Sequence, residues 1–307
     1  MAINGPVPFL PLEHLLKTLN SDPIIKTDTP SCVLPFSRAG NLILIKAKVD
    51  SIEGNFILDT GAPGLVLNIT YFRHYPQTIH EAEQTSITGT SSSTVAKTTV
   101  KELNFGTYHY FKTEADLLNL GHIENTKNIK ILGLLGMSLF KQFEMIIDYE
   151  QGLIYLHYIS KKEASAYKHV MLQETDAYRT LPLELIEDRI VVQTEMAGKK
   201  LKFVIDCAAE TNILDSRLPN KLFEQVTITK KITLTGSGNK KVDALYGDMT
   251  DFKIGGEYIK SLPVLITNLE NTCFANIGCV DGVLGFDFLS LHKVGFNFVT
   301  RKMYIWK

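Results

Sequence analysis

Residues 56–68 read F-I-L-D-T-G-A-P-G-L-V-L-N. An apolar run, Phe56-Ile57-Leu58, ends on Asp59, and Thr60, Gly61 and Ala62 follow. A run this short, preceded by a turn over 50–55 that contains Gly54, predicts a buried strand rather than a helix. An Asp at such an end can be a turn residue and nothing more. What decides the reading is that the stretch occurs twice.

Shifted by 147 residues, Asp59 falls on Asp206 without a gap. N-L-I-L-I-K-A-K-V-D-S-I-E-G-N-F-I-L-D (41–59) then lies over D-R-I-V-V-Q-T-E-M-A-G-K-K-L-K-F-V-I-D (188–206). Leu34 and Pro35 meet Leu181 and Pro182, Ala62 meets Ala209, and Thr88 and Gly89 meet Thr235 and Gly236. A two-residue insertion moves the later offset to 149. I-L-G-L-L-G-M-S-L-F (131–140) there lies over V-D-G-V-L-G-F-D-F-L (280–289). One order of landmarks in both copies is a duplication, and two copies suit a bilobal protein better than a solenoid.

Each copy reads mostly as strand. Ile43–Val49 and Ile190–Met196 are rich in β-branched residues, and turns follow at 50–55 and 197–200. Polar tips, T-G-T-S-S-S (88–93) and T-G-S-G-N-K (235–240), read as hairpin ends. They make Thr88, Gly89 and Thr90, and Thr235, Gly236 and Ser237, candidate covers over a cleft. Met137–Gln142 and Phe286–Ser290 are short helix candidates, each followed by a last hairpin. Pro11–Asn20, with Leu12, Leu15, Leu16 and Leu19 at helical spacing, is the clearest helix. The expected organisation is an N-terminal extension (1–27), a first lobe (28–158), a linker (159–168) and a second lobe (169–307). The fold class is mainly β, two homologous lobes with a cleft between them.

Like lobes around a pseudo-two-fold axis bring equivalent points near that axis together. Two carboxylates there share one proton, and their titrations split apart. Such a pair can deprotonate a water with one oxygen and protonate a substrate carbonyl with another. Thr60 is placed to bond the opposite lobe's backbone. Gly61 lets amides approach the carboxylate with no Cβ in the way, and Ala62 and Ala209 leave room for close packing.

D-T-G-A behind an apolar strand, a hairpin tip further on, and L-L-G or V-L-G before a short helix resemble the retropepsin-like and pepsin-like aspartic peptidases. The layout, two retropepsin-size lobes in one chain, resembles bacterial retropepsin-like proteins. The resemblance implies the acid-protease fold, hairpin flaps, no cofactor and no metal, and endopeptidase activity on a polypeptide substrate. It makes Asp59 and Asp206 the catalytic pair, with Thr60 gripping across the lobes. A monomer is expected, since the second lobe supplies what a retropepsin gains by dimerising.

The second copy departs from the pattern at Asp206-Cys207-Ala208-Ala209, where the family has Asp-Thr-Gly or Asp-Ser-Gly. A thiol is a weaker donor than a hydroxyl, so the grip is expected to weaken by about 1 kcal/mol. Ala208 keeps its N–H but adds a Cβ, and it disfavours φ > 0 if the loop needs it. The alternative reading is therefore an impaired or inactive peptide-binding relative.

The chain has 307 residues, 45% hydrophobic and 21% charged, with net charge −1. A balance this neutral gives no reason to expect nucleic acid or an anionic membrane as partner. No apolar stretch approaches the ~20 residues of a membrane span. The start lacks a signal-peptide pattern, so the expectation is a soluble protein: cytoplasmic, or periplasmic or secreted if a leader was trimmed. Four cysteines have no metal spacing; Cys273 and Cys279 read as a disulfide or as buried thiols. A nucleophilic Cys207 would need a base, and no histidine lies close in sequence. His74 and His80 have no third ligand nearby, and Asn68-Ile69-Thr70 matches a glycosylation acceptor only as a short pattern.

Overall fold

A computed structural model describes residues 24–86, 89–164, 166–235, 241–270 and 279–307. The amphipathic segment Pro11–Asn20 lies outside them. The first half contributes β1 (Ile24–Thr27), β2 (Ser31–Pro35), β3 (Ser37–Ala39), β4 (Leu42–Val49), β5 (Ile52–Leu58), β6 (Leu65–Asn68), β7 (Thr78–Ser86), β8 (Gly89–Phe105), β9 (Tyr108–Leu118), β10 (Gly133–Leu135), β11 (Phe143–Asp148) and β12 (Leu153–Tyr158). The second contributes β13 (Tyr178–Ile186), β14 (Arg189–Met196), β15 (Lys199–Ile205), β16 (Asn212–Asp215), β17 (Val226–Thr235), β18 (Lys241–Met249), β19 (Phe252–Ile254), β20 (Glu257–Ile259), β21 (Leu262–Thr267), β22 (Gly282–Leu284), β23 (Val294–Asn297) and β24 (Lys302–Trp306). Described α-helices are short: α1 (Ile69–Phe72), α2 (Gly121–Lys127), α3 (Asn220–Phe223) and α4 (Phe286–Leu289).

The molecule is mainly β, with two duplicated barrel-like lobes. Strands run β9-β6-β10-β5-β4 in one and β21-β16-β22-β15-β14 in the other. In both, the strand that ends at the Asp pairs antiparallel with its predecessor and parallel with a later three-residue strand. That short strand also pairs antiparallel with the next one, β6 or β16. β4 shows why the sequence takes this form. Its first half is buried throughout, and its second half alternates, with Lys46 and Lys48 exposed between Ala47 and Val49.

Both predicted turns are tighter than the sequence suggested. They shrink to Asp50-Ser51 and Ala197-Gly198, because Glu53 and Lys200 continue the ladders with their side chains outward. Ala197 and Gly198 take φ of 49° and 74°, the left-handed pair of a two-residue hairpin. The Met137–Gln142 candidate forms only a 3-10 turn at Met137–Leu139, and Phe286–Ser290 is helical over α4. α1, α2 and α3 had no periodic apolar signal.

A second layer joins the lobes. β2-β12-β11 and β23-β24-β13 form one sheet across the middle of the molecule. At its seam β11 pairs β23 antiparallel, with Ile146 opposite Gly295. These two residues are equivalent in the duplication, so the pseudo-two-fold axis passes between them. One continuous apolar core runs through both lobes and this sheet, from Ile43 and Phe56 through Met145 and Phe296 to Phe203 and Ile305. No described helix is long and apolar enough to cross a membrane.

Candidate active site

The two acidic loops meet on that same axis. Asp59 N–H donates to Leu135 O at 3.0 Å, and Asp206 N–H donates to Leu284 O at 3.0 Å. Each Asp is thereby fixed at the crossing of three strands. The carbonyls of Ala62 and Ala209 accept the N–H groups of Met137 (2.9 Å) and Phe286 (2.8 Å). The glycine that closes L-L-G or V-L-G is forced by this crossing. A Cβ on Gly136 would lie 2.7 Å from Ala62 O, and one on Gly285 would lie 2.7 Å from Thr211 O.

Asp59 Oδ1 accepts the N–H groups of Gly61 and Ala62, both at 2.9 Å. Asp206 Oδ1 accepts the Ala208 N–H at 2.8 Å. Neither Gly61 nor Ala208 has positive φ, so alanine costs no left-handed strain in the second loop. The two carboxyl groups are half-buried.

A reciprocal clasp ties the loops together. Thr60 Oγ1 donates to Ile205 O (3.0 Å) and accepts from Cys207 N–H (3.0 Å). In return Cys207 Sγ donates to Leu58 O (3.2 Å) and accepts from Thr60 N–H (3.4 Å). The expected weakening thus takes the form of two longer sulfur contacts, with none lost. Both side chains are buried, Thr60 1% and Cys207 1% exposed, where orphaned backbone groups would be costly. Burial drives the thiol far above its ordinary pKa, which leaves it protonated and structural.

The clasp brings the carboxylates close. A Cβ built on Gly61 would lie 2.5 Å from Asp206 Oδ2, so the Asp206 carboxylate rests against the first loop's backbone. Burial pushes Asp59 up to about 7, and the neighbouring Asp206 charge adds to the rise. Asp206 is also raised by burial, while N–H groups of Ala208 and Ala209, Arg189 and Gly61 N–H pull it down. Burial raises both carboxyls, and the Asp206 charge raises Asp59 further, as expected of two neighbouring carboxyls that do not both ionise cheaply.

A pocket of about 350 Å³ opens beside the pair. Leu42, Ile57, Ile123, Leu134 and Ala208 give it apolar walls, and His122, Thr126, Lys127 and Glu210 add polar groups. Lys127 Nζ and Glu210 Oε2 are 2.6 Å apart, and Asn41 Nδ2 donates to Glu210 O at 2.9 Å. These contacts link the second acidic loop to the first lobe.

Of the residues singled out in the sequence, Asp59, Thr60, Gly61, Ala62, Asp206, Cys207, Ala208 and Ala209 come together here. Gly89, Thr90 and Thr235 lie near the ends of two antiparallel hairpins, β7–β8 paired out to Ser86–Gly89 and β17–β18 to Thr235–Lys241. Thr88, Gly236 and Ser237 lie outside the described residues. Cys279 is disulfide-bonded, Cys32 and Cys207 are free, and Cys273 is outside the described residues. Among the described residues no group of three or more His, Cys, Asp or Glu is arranged to hold a metal ion.

Sequence reasoning missed Arg189 and Lys127. Arg189 Nε donates to Gly61 O at 3.3 Å, across the lobes. The signal was available: the duplication sets Arg189 where the first copy has Leu42. Lys127 had none, because α2 buries no residue and carries no periodic pattern.

Compared with known protein families, the chain matches the aspartyl protease model twice, over residues 45–139 and 192–288. No curated protein matches it.

Proposed function

The chain belongs to the aspartyl protease family, and from that premise we propose that it is an aspartic endopeptidase acting on polypeptides. A water held between Asp59 and Asp206 is the nucleophile. The ionised carboxylate takes a proton from the water as its oxygen bonds to the peptide carbonyl carbon, and the protonated partner gives its proton to the carbonyl oxygen. The tetrahedral intermediate then collapses. A proton passes to the amide nitrogen, the C–N bond breaks, and a carboxylic acid and an amine leave. The shared proton is regenerated, and no cofactor enters the balance.

The observation that carries this reading is the packing of Asp206 Oδ2 against Gly61, with both Asp residues fixed by equivalent bonds to Leu135 O and Leu284 O. The rest of the proposal follows the duplication. Residues 28–158 and 169–307 form the two lobes, 159–168 connect them, and 1–27 extend the first. The hairpin tips at Thr88-Gly89-Thr90 and Thr235-Gly236-Ser237 close over the bound polypeptide as flaps. One chain is the working unit, and nucleic acid is not a partner.

The purified protein should cleave casein, be blocked by a statine-type transition-state mimic, and lose activity in Asp59→Asn and in Asp206→Asn. Cleavage that survives both substitutions refutes the assignment. Peptide binding with no turnover between about pH 3 and 8, a window that spans ordinary and raised carboxylate titration, would instead identify an inactive binding relative. The departure at Cys207-Ala208 motivates that alternative; against it stand the clasp bonds of Cys207 and the Ala208 N–H bond to the Asp206 carboxylate.

A further inference from the structure

The chain leaves the inter-lobe sheet at the end of β12 and rejoins it at β13. Between them it folds back onto a row of polar side chains that crosses the sheet. Ser31 on β2, His157 on β12, Glu144 on β11 and Asn297 on β23 stand opposite one another in consecutive pairs. His157 and Glu144 are only 5% and 2% exposed. Ser31 Oγ lies 2.6 Å from His157 Nδ1, and Asn297 Nδ2 donates to Glu144 Oε2 at 2.9 Å. The remaining atoms of the buried pair, His157 Nε2 and Glu144 Oε1, make no hydrogen bond among the described residues.

Tyr167 closes over His157, with ring centroids 3.6 Å apart and planes 3° from parallel. Glu163 fixes the turn that delivers it. Its carboxylate accepts the Ser160 N–H (3.1 Å) and Oγ–H (2.6 Å), and its carbonyl accepts the N–H groups of Ala166 (2.9 Å) and Tyr167 (2.8 Å). His169 follows, edge-on to Tyr155, and its Nδ1 accepts the Met171 N–H at 3.2 Å, capping a 3-10 turn at Val170–Leu172. Both imidazoles serve this arrangement in neutral form. A proton on His169 Nδ1 would turn the acceptor of the Met171 N–H into a second donor. A proton on His157 would put a charge in a buried site, where Glu163 Oε1, at 3.7 Å, is too far for a hydrogen bond. Burial lowers both histidines from the ordinary 6.5; His157 lowers His169 further, and Glu163 pulls His157 part of the way back. The other groups around them offer no countercharge of their own. Burial raises Glu144 despite the pull of Asn297 and the His169 N–H, and burial holds Tyr167 as a neutral phenol. Ser31 and Tyr155 bring only hydroxyl groups, and the exposed Lys161, Lys162 and Lys168 add positive charge.

We propose that residues 159–169 form an acid-released strap, seated on the inter-lobe sheet while His157 and His169 are neutral and detached when both take up protons. A histidine whose folded value lies below its unfolded one stabilises the seated state in full above about 6.5, and that contribution is lost as pH falls through the folded value. Acidification therefore slackens the tether between the two halves and uncovers His157, whatever chemistry the acidic pair performs.

The test is amide hydrogen exchange on the full chain at about pH 7.5 and about pH 5, on either side of ordinary histidine titration, with each amide scaled to its intrinsic rate. Protection at Ala166, Tyr167 and Met171 should fall at least about tenfold at the acidic pH, while the amides of β11 keep theirs. His157→Phe keeps a ring beneath Tyr167, His169→Asn keeps a side-chain acceptor for the Met171 N–H, and neither replacement titrates. The double variant should hold its protection at both pH values. Equal protection at the two pH values in the native chain, or the same fall in the double variant, overturns the proposal. Proton NMR of the native chain gives a second measure that does not depend on the variants folding. His157 and His169 should protonate together with the loss of protection, below about 6.5; two histidines that titrate at the ordinary value, apart from any loss of protection, refute the strap.

Discussion

Gly61→Ala tests the geometry of the pair most directly. The added methyl would sit 2.5 Å from Asp206 Oδ2, 2.7 Å from its Cγ and 3.0 Å from Oδ1. Ordinary contact begins near 3.4 Å, so the carboxylate must retreat by about 0.9 Å. The main chain cannot easily supply that room, because Thr60 and Cys207 lock the loops with four hydrogen bonds between them. The Asp206 side chain can move, at the expense of its 2.8 Å bond from Ala208 N–H. The fold should therefore lose only about 1–3 kcal/mol, while a displacement near 1 Å at a reacting group costs about a hundredfold in rate. Ala208 holds the equivalent position in the second loop, where its methyl joins the apolar wall of Leu42, Ile57 and Leu134. The assay is kcat/KM on a fluorogenic peptide beside urea unfolding of the same preparation. A Gly61→Ala protein that keeps its fold and its kcat/KM to within threefold would contradict the close packing of Asp206 on Gly61, since the methyl would then have found room that the geometry denies it.

Thr60→Val should cost about 2–4 kcal/mol in urea unfolding, because it orphans the buried Cys207 N–H and Ile205 C=O at once; a loss below 0.5 kcal/mol would contradict the clasp. Cys207→Thr should shift stability by less than about 1 kcal/mol, since a hydroxyl can make the same two bonds, and the native Cys207 thiol should resist thiol reagents until the chain unfolds. Stability should also depend on pH through Asp59. Its folded value, about 7, lies above the ordinary 3.8, so the native state binds the extra proton between them; that stabilisation is full below 3.8 and lost as pH rises through 7. Out of water altogether the difference would be about 4 kcal/mol, and an open cleft screens it to about 1–2 kcal/mol. Melting temperatures across pH 4 to 8 should accordingly favour Asp59→Asn increasingly at the alkaline end, and parallel curves for the two proteins would disprove the coupling. Activity, which needs one proton on the pair, should fall as pH rises past about 7.

Much of this was legible in the sequence because it is local. A three-residue apolar run ending in Asp, the turn before it and the later glycine each follow from short-range sterics, and the duplication supplies their relation. Other features depend on distant partners. α2 has no apolar face to announce it; it is held by Glu124, which accepts from Tyr71 Oη (2.7 Å), Asn68 Nδ2 (3.1 Å) and Ile131 N–H (2.8 Å). β11 read simply as part of a terminal hairpin, yet it pairs with the other half of the chain over Glu144–Ile147. Arg189 was visible as a mismatch between copies, but its reach to Gly61 needs the lobes in place. Cys207 was read by donor strength alone, whereas sulfur's longer reach keeps both of its bonds.

The pairing of Ile146 with Gly295 has a historical meaning. In a symmetric ancestor made of two identical chains, one residue type would have faced itself across this line. Here Ile146 meets a residue without a side chain, and a Cβ on Gly295 would already come within 3.2 Å of Ile146 Cγ1. In one chain the two halves fit by complementarity at this line, bulk on one side and a hollow on the other. Expressed as separate fragments, the halves would expose the β11 and β23 edges, and each should pair with the other in preference to a copy of itself.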